Sequence, residues 1–479
     1  MIGRSWFALG LALSWSGSLG AAPPASVEEL FTPTRVWTIH ITASPEEWSA
    51  IEPTRRPGTG LGFRPPMGPP PPPAVTDRPV SVSPFGIEYP YIRAEVDFDG
   101  AKLANVGLRF KGNSSFVAAR ELKRPLKIDF DRWVDGQTFL GLAMLNFSNN
   151  TMDPSQLRER MAYAVFRDAG VPAPRTAYAR IYLTVPGQYE RTLMGLYTIV
   201  EPVDKPFLKD RFGAAGGMLL KPERASGLPH CGDDWSAYSD RYRPKKEPNP
   251  DQGRRLIELT RLIHHADDAE FHRRIPEFID VDALLRLAAA NSAITNLDSF
   301  FGTGHNYYFY LHPATNLFHV IPWDLDHSFG GFGMAGSPEQ MMEWTIRKPY
   351  LGDHRLVARL LAEPDNEAKF RGYLKSLTDG PLQPERMRQL ICETEAAIRP
   401  AMEEESAAQA GGLFGFGFGR FITKPPDVAE FIARRHQSIV DQLDGKSEGQ
   451  QLRFGGRRPE KKPEAPKSSD DPKPPADGK

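Results

Sequence analysis

Apolar and polar side chains alternate along several segments of the first half of the chain, and a period of two residues predicts β-strands. The clearest alternation lies at 91–98, which an Asp-Gly turn follows, and at 105–112 and 124–131. Another strand pair is predicted on either side of a Pro-Gly turn at 186–187. The pattern therefore predicts a mainly antiparallel sheet within residues 35–222.

One amphipathic helix interrupts this sheet-rich region. Between residues 153 and 170, apolar side chains recur every three or four positions, as they do on the buried face of a helix. Asp153 is the expected N-cap, Pro154 fits the first turn, and Gly170 is the expected residue after the last turn. The sequence thus predicts a helix over 153–170.

Helical periodicity dominates the second half of the chain. Helices are predicted near 252–265, 266–276, 280–296 and 353–443. A short β-hairpin at 306–322 lies between the third and fourth of these regions. The chain is therefore predicted to have an α+β, two-lobed fold, with a β-rich N-terminal lobe (35–222) and a mainly helical C-terminal lobe (223–443).

The start of the chain has the pattern of a secretory signal peptide. Within residues 1–22, Arg4 provides the positive charge, an apolar core follows, and small residues form a cleavage zone. The apolar core is short for a helix that crosses a bilayer, so no stable membrane span is expected after cleavage. We therefore expect an exported protein in the periplasm, at the cell surface or outside the cell, with a linker at 23–34.

Three further segments have compositions that do not favour a packed core. They are a Pro/Gly-rich insertion at 55–79, a Gly/Phe-rich segment at 411–419 and a Lys/Pro/Asp-rich tail at 444–479. The insertion is predicted to be a loop, the Gly/Phe-rich segment to interrupt the helices, and the tail to be disordered. The globular domain is therefore expected to span residues 35–443.

Charge and cysteine content narrow the function classes. The 479 residues include 59 Lys and Arg and 60 Asp and Glu, which gives a net charge of −1. This balance offers no electrostatic case for a nucleic acid as partner. The two cysteines, Cys231 and Cys392, could pair in an exported protein, but a single pair is not a disulfide framework.

Acidic and amide side chains flank the predicted hairpin at one end. Asp298 follows the preceding helix and Asn306 starts the first strand, whereas Asp324 and Asp326 follow the second strand. Because residues two apart in an extended chain point to the same side, Asp324 and Asp326 are expected to lie close together. Mg²⁺ prefers one or two carboxylates with phosphate oxygens, and phosphoryl transfer needs a further aspartate that orients the acceptor hydroxyl. The pattern therefore predicts phosphoryl transfer from a nucleotide with bound Mg²⁺ or Mn²⁺.

A structural interpretation of the same residues stays open at this stage. Single Asp residues after helices and strands often serve only as turn or capping residues. The order Asp298, Asn306, hairpin, Asp324 matches that of protein kinases, but an H-R-D motif is missing and the spacing from Asp298 to Asn306 is longer. Nearby histidines match no zinc signature and are interpreted as supporting or surface residues. These histidines are His305, His319 and His327.

The N-terminal lobe is expected to supply groups that bind phosphate. Arg109 and Lys111 share one face of the predicted strand 105–112, which ends in a Gly-Asn-Ser-Ser turn whose N–H groups could hold an anion. Lys127, on the next strand, faces away from its apolar neighbours. Kinases pair a strand lysine with a helix glutamate, and Glu159 is the available partner. Lysines that simply face solvent remain the alternative, since neither G-x-G-x-x-G nor a Walker motif is present.

An ordered series of motifs carries a family resemblance. They are VGLRFKGNSSF (106–116), RPLKIDFD (124–131), the stretch 145–183, GLYTIVEPVDKPFL (195–208), NLDSFFGTGHNYYFY (296–310) and IPWDLDHSFG (321–330). With these motifs the chain resembles, from about residue 35 to about residue 440, the CotH family of spore-coat-type secreted kinases. The resemblance implies an atypical protein-kinase-like fold and Mg²⁺- and ATP-dependent phosphorylation of Ser or Thr in exported proteins.

The resemblance also implies residue roles. Asp298 resembles the catalytic-loop aspartate and Asp324 the metal-binding aspartate, with Asp326 and Asn306 as supporting ligands. The expected nucleotide-binding residues are Lys127, Lys111, Arg109 and Glu159, and either of the two lysines could contact phosphate.

Two other function classes compete with the kinase hypothesis. A surface or coat protein that binds partners and keeps the kinase-like fold without catalysis would need no Asp298. A glycosyltransferase or a phosphatase with a D-x-D metal site is the other alternative. A glycosyltransferase is disfavoured because no Rossmann-like βαβ alternation precedes the aspartates, and the β-rich lobe makes both enzymes less favoured.

Overall fold

The structure is a computed structural model and describes residues 22–55, 78–119, 122–410 and 425–454. Four of the predicted features lie wholly or mostly outside these residues: the signal peptide, the Pro/Gly-rich insertion, the Gly/Phe-rich segment and the tail. Within the described part the fold is α+β, with a β-rich N-terminal region followed by a helical C-terminal region, as predicted.

Most strands lie in the first half of the chain and most long helices in the second. The strands are β1 (Val36–Thr42), β2 (Thr54–Arg55), β3 (Val80–Val82), β4 (Ile87–Pro90), β5 (Ile92–Phe98), β6 (Ala101–Phe110), β7 (Leu126–Asp129), β8 (Met144–Ser148), β9 (Thr176–Val185), β10 (Tyr189–Val200), β11 (Met218–Leu220), β12 (Tyr307–Leu311) and β13 (Phe318–Pro322). The helices are α1 (Val27–Leu30), α2 (Pro45–Ser49), α3 (Ser114–Val117), α4 (Arg158–Asp168), α5 (Lys205–Phe212), α6 (Ser236–Tyr242), α7 (Pro250–His265), α8 (Asp268–Arg274), α9 (Val281–Ala293), α10 (Pro338–Met342), α11 (Arg355–Ala362), α12 (Pro364–Asp379), α13 (Pro384–Ala410) and α14 (Val428–Leu443).

Seven strands of the N-terminal lobe form a closed barrel in the order β1-β5-β6-β7-β8-β10-β9. Neighbouring strands are antiparallel except β1 and β9, whose parallel pairing closes the barrel. Alternate residues of β1 and β5 are buried, so the period of two in the sequence separates the interior of the barrel from its outside. Most of the antiparallel strands were predicted from the sequence, whereas β8 and the closing parallel pair were not.

Helix α4 is the predicted amphipathic helix, but it begins later than predicted. It runs over Arg158–Asp168, with Leu157 rather than Asp153 in the N-cap position. The Asp153 carboxylate instead accepts hydrogen bonds from the backbone N–H and the Oγ of Ser155, at 3.1 and 2.6 Å. It also accepts the backbone N–H of Arg158 at 2.8 Å. The predicted start of this helix was therefore wrong, because Asp153 holds a separate turn that precedes the helix.

A buried ion pair anchors the start of α4. Nη1 of Arg158 lies 2.6 Å from Oδ1 of Asp153, and each side chain is only 2% exposed. The Asp153→Asn substitution leaves this guanidinium without its counter-charge, so we expect the free energy of unfolding to fall by about 3–5 kcal/mol. Denaturant titration monitored by circular dichroism measures this loss. The exposed Asp135→Asn is the control, and a loss in Asp153→Asn no larger than in this control would contradict the prediction.

The C-terminal lobe is built around α9, which packs against α4, α12, α14 and β13. The predicted hairpin is present as β12 and β13, and β11 pairs with β12 to complete a three-stranded antiparallel sheet. Residues after 443 continue along this lobe: the N–H of Thr345 donates to the carbonyl of Gln450 at 2.8 Å, and Leu452 is buried. This sheet carries the residues that the sequence singled out for chemistry.

Helix α13 of the C-terminal lobe also holds the barrel. Nζ of Lys123 lies 2.5 Å from Oε1 of Glu405, and Nη1 of Arg180 lies 3.2 Å from Oε2 of Glu404. Gly195 on β10 makes this approach possible, since its φ is +137° and an added Cβ would lie 2.9 Å from Cδ of Lys123. The two lobes are thus tied together at a point distant along the chain from their direct connection.

Two further features concern the environment of the protein. Cys231 and Cys392 are both free, so the pairing that the sequence allowed does not occur in this structure. Across the described residues, the helices are either too short or too polar to cross a membrane.

Candidate active site

A cavity of about 520 Å³ brings residues of both lobes together. Most of the residues singled out in the sequence line it: Arg109, Lys111, Lys127, Asp298, Asn306, Asp324 and Asp326. Glu159, which projects from α4, is buried close to the same charges. The structure therefore assembles, from distant parts of the chain, the set of groups that the sequence could only name separately.

Asp298 lies in the turn that follows α9, and two neighbours fix its carboxylate. Oγ1 of Thr303 donates to Oδ1 at 2.5 Å, and Nδ2 of Asn306 donates to Oδ2 at 3.0 Å. The turn is tight at Gly302, where an added Cβ would lie 1.9 Å from the carbonyl oxygen of Leu297. Each oxygen of the Asp298 carboxylate thus has one fixed donor and keeps a free lone pair towards the cavity.

Asp324 and Asp326 follow β13 and both line the cavity. The intervening Leu325 is fully buried, so the predicted alternation places the two carboxylates on one side. The residue at 324 has a φ of +57°, a left-handed conformation that Asp and Asn tolerate better than most residues. Its backbone N–H donates to the hydroxyl of Tyr163 on α4 at 3.1 Å, which ties this turn to the helix that carries Glu159.

The acidic end of the cavity, formed by Asp298, Asp324 and Asp326, carries more negative charge than the nearby basic side chains neutralise. Burial raises the pKa of Asp326 to about 7; the His327 imidazole opposes this, and the carboxylates of Asp324 and Asp298 add to it. Burial lowers the pKa of His327, but the same three carboxylates outweigh burial and leave it raised. Among the described side chains, none donates a hydrogen bond to the carboxylate of Asp324 or Asp326. Such oxygens are available to a cation.

The donor set fits Mg²⁺ bound together with phosphates rather than a protein-only metal centre. Within the described residues, no group of three His, Cys, Asp or Glu side chains could hold a metal by itself. Mg²⁺ needs only one or two carboxylates when phosphate oxygens and waters complete its octahedron. Asp324 and Asp326 supply those carboxylates, and Asn306 supplies an amide oxygen next to them.

The two candidate lysines have different surroundings. Burial lowers the pKa of Lys111, and the carboxylates of Asp324 and Glu159 oppose this effect. Burial likewise raises the pKa of Glu159, with Asp324 adding to the rise and Lys111 opposing it. Burial also lowers the pKa of Lys127, but its next neighbours are the cations Arg109 and Lys245. Lys111 is therefore the lysine that shares an environment with Glu159 and the acidic end.

Several cavity residues were not singled out in the sequence. They are Lys221, Glu223, Arg243 and Lys245, which follow β11 and α6, and the aromatic residues Tyr308 and Trp323. Nδ1 of His305 lies 2.5 Å from Oε2 of Glu223, so this histidine supports a cavity carboxylate, as interpreted. His319 instead packs on Phe212, outside the cavity lining. Clusters such as PKK in a polar stretch are usually surface charge, so the sequence offered no signal for these lysines.

A β-rich lobe, a helix with a buried glutamate and a hairpin flanked by carboxylates define a kinase-like α+β protein. Comparison with known families agrees: the family model described as CotH kinase protein matches residues 108–439. The chain therefore belongs to the CotH kinase protein family.

Two curated relatives come from Bacillus subtilis (strain 168). The inner spore coat protein H is 26% identical over 314 residues, which cover 64% of this chain and 80% of that protein. The inner spore coat protein H-like protein is 26% identical over 258 residues, which cover 54% of this chain and 68% of that protein.

Proposed function

We propose that this protein is an exported kinase that transfers the γ-phosphoryl group of ATP to a Ser or Thr hydroxyl of a secreted, surface or coat protein. The observation that carries the proposal is the convergence of Lys111, Asp298, Asn306, Asp324 and Asp326 on one cavity between the lobes. These are the types of group that phosphoryl transfer needs: a cation on the phosphates, metal ligands and a carboxylate at the acceptor. Membership of the CotH kinase protein family supports it.

Asp298 acts on the acceptor hydroxyl in this mechanism. Thr303 and Asn306 hold its carboxylate, so the remaining lone pairs accept the O–H of a Ser or Thr that enters the cavity. The acceptor oxygen forms a bond to the γ-phosphorus, and the bond from that phosphorus to the β–γ bridging oxygen breaks. Asp298 takes the hydroxyl proton, and ADP leaves with the bridging electrons.

Asp324, Asp326 and Asn306 are the residues that would hold the metal. Bound Mg²⁺ supplies neutralising charge for the β- and γ-phosphates. Lys111 contributes a second positive charge at the same end, and the buried carboxylate of Glu159 on α4 acts electrostatically on this lysine. The tie from Tyr163 to the backbone of Asp324 keeps helix and metal ligands in register.

The choice of Lys111 over Lys127 gives a direct prediction. The Lys111→Met substitution removes a cation that interacts with Asp324, so we expect the rate of phosphoryl transfer to fall by about 10²–10³-fold, as when one electrostatic donor is lost. Steady-state transfer of labelled γ-phosphate measures this. The exposed Lys209→Met on α5 is the control. A larger loss in Lys127→Met than in Lys111→Met would reverse the assignment.

Transfer of labelled γ-phosphate from ATP tests the proposed function itself. The protein without residues 1–22 is incubated with Mg²⁺ or Mn²⁺, and both itself and a mixture of Ser- and Thr-containing proteins serve as acceptors. We expect label on protein that a metal chelator abolishes. Absence of both label and metal-dependent nucleotide binding would exclude the kinase function.

A non-catalytic coat or surface protein is the second candidate function. The observation that favours it is that both curated relatives are named as inner spore coat proteins or as similar to one. This function makes no use of the Asp298 carboxylate. It therefore predicts that binding to coat or surface partners survives Asp298→Asn, whereas the kinase proposal predicts loss of a covalent product.

A further inference from the structure

A group of basic side chains in the cavity has no part in the mechanism above. Arg109 and Lys127 lie directly opposite each other on β6 and β7. Lys221 donates its backbone N–H to the carbonyl of Arg243 at 3.1 Å, and Lys245 follows two residues later. These five residues, all of which line the cavity, form what we call the basic cluster. Like charges opposed across a strand pair repel, so this arrangement costs stability when the cavity is empty.

Two of the carboxylates near the basic cluster form ion pairs elsewhere. Asp129 is 2.9 Å from Nη2 of Arg132, and Glu223 is 2.5 Å from Nδ1 of His305. Asp204 caps α5 by accepting the N–H of Phe207. Among the described residues, no member of the cluster forms an ion pair. The carboxylates of Asp204 and Asp324 act on Lys127 and Lys221 without pairing with them, so the cluster carries more positive charge than the nearby protein compensates.

The pKa values of Lys127 and Lys245 reflect this uncompensated positive charge. Burial lowers the pKa of Lys127 to about 7, with Arg109 and Lys245 adding to the effect and Asp129 opposing it. Lys245 keeps contact with solvent in the cavity. Loss of hydration to the surrounding protein, and next the positive charge of Lys221, nevertheless lower the pKa of Lys245 to about 7. An anion would therefore draw protons onto these lysines as it binds.

Two aromatic rings contact the lysines of the basic cluster, and one of these rings also contacts Lys111. Nζ of Lys111 and Nζ of Lys221 each lie 5.7 Å from the ring centroid of Trp323, which precedes Asp324. Nζ of Lys221 and Nζ of Lys245 lie 5.7 and 5.5 Å from the ring centroid of Tyr308. Lys221 is thus the member of the cluster closest in environment to the metal ligands, whereas none of the charges that act on Lys127 and Lys245 belongs to Asp324, Asp326 or Glu159. Lys127 and Lys245 therefore form an outer end of the cluster, at a different position from the one assigned to the β- and γ-phosphates.

We propose that the basic cluster is an anion subsite that binds a phosphorylated or acidic side chain of the acceptor protein, close to the hydroxyl that receives the new phosphate. The identity of this occupant rests on the proposed kinase function, whereas the anion subsite itself does not. The metal ligands and Lys111 already serve the nucleotide phosphates, and the cavity is open to solvent at Lys245, where a protein segment can enter. The substrates are therefore Ser or Thr residues with a phosphate or carboxylate group nearby.

Titration calorimetry with inorganic phosphate tests the subsite without any need for catalysis. The protein lacking residues 1–22 is first saturated with Mg²⁺ and an ATP analogue that cannot be hydrolysed between the β- and γ-phosphorus atoms. We expect phosphate to bind with the analogue in place and Lys127→Gln/Lys245→Gln to weaken this binding about tenfold or more, as loss of charge-assisted contacts implies. Titrations near pH 7 in two buffers of different ionisation enthalpy should show that wild type takes up protons when it binds phosphate and that the double variant does not.

Lys209→Gln is the matched control, because this lysine is exposed on α5 outside the cavity lining. If the double variant binds phosphate as tightly as wild type, the proposal is wrong. The proposal is also wrong if the ATP analogue displaces phosphate, because the basic cluster would then bind the nucleotide.

Peptide phosphorylation tests the occupant of the subsite. Wild type should phosphorylate a Ser peptide with a neighbouring phosphoserine or Asp faster than a peptide with Ala at that position, and the double variant should not distinguish the two. Equal rates in wild type would remove the acceptor as occupant. Phosphate binding without any transfer would instead leave the subsite in place and reject the kinase function.

Discussion

Replacement of Asp298 by Asn should reduce phosphoryl transfer by about 10²–10⁴-fold, the range for loss of a positioned general base. The substitution removes the proton acceptor but changes little else. The carbonyl oxygen of the new amide can still accept from Asn306, and its nitrogen can donate to the hydroxyl oxygen of Thr303, so the amide oxygen of Asn306 keeps its place. Folding and nucleotide binding should therefore persist while the chemical step is lost. Single-turnover transfer of labelled γ-phosphate, alongside measured affinity for Mg²⁺ and ATP, separates the two effects.

The exposed Asp365→Asn on α12 is the control for this measurement, since it removes the same charge far from the cavity lining. Wild-type rates in Asp298→Asn would show that another group takes the hydroxyl proton. Loss of nucleotide affinity together with the rate would show instead that Asp298 is a metal ligand.

Replacement of Asp324 by Ala should weaken nucleotide binding in the presence of Mg²⁺ by about 3–5 kcal/mol, or about 10²–10⁴-fold, which is the cost of removing one partner of a buried charge pair. Transfer should be lost with it. The variant should fold at least as well as wild type, because the substitution removes one of the carboxylates that raise the pKa of Asp326. Calorimetric titration with ATP, with Mg²⁺ and again with a metal chelator, measures the effect.

The chelator gives this prediction its internal control. It should lower the affinity of wild type to the level of Asp324→Ala, and it should have no further effect on the variant. If the chelator weakens both proteins equally, the metal is held by other residues and the role assigned to Asp324 is wrong.

The acidic end of the cavity was predictable because its residues are close together in the sequence. Asp298, Asn306, Asp324 and Asp326 belong to one helix–hairpin unit, and strand alternation alone places the last two on the same side. The roles of these residues remain predictions that the experiments above test.

The lysine environments could not be derived in the same way. Lys127 lies on β7 opposite Arg109, and Lys111 follows β6 by one residue. Only the position of α4 brings Glu159 to Lys111 and not to Lys127. Lys221 and Lys245 meet because residues after β11 pair with residues after α6, a contact that no periodicity indicates. Closure of the barrel depends on β1 and β9, which are far apart in the sequence. Each of these features is decided by packing between distant segments.

The closed barrel also bears on how copies of this protein can assemble. An open sheet presents unpaired N–H and C=O groups at its two margins, and neighbouring molecules can extend it strand by strand into fibres. Here β1 and β9 satisfy one another, so the barrel has no such margin to offer. In a densely packed layer, association through the barrel would depend on side-chain surfaces, which release more readily than a continuous ladder of main-chain bonds.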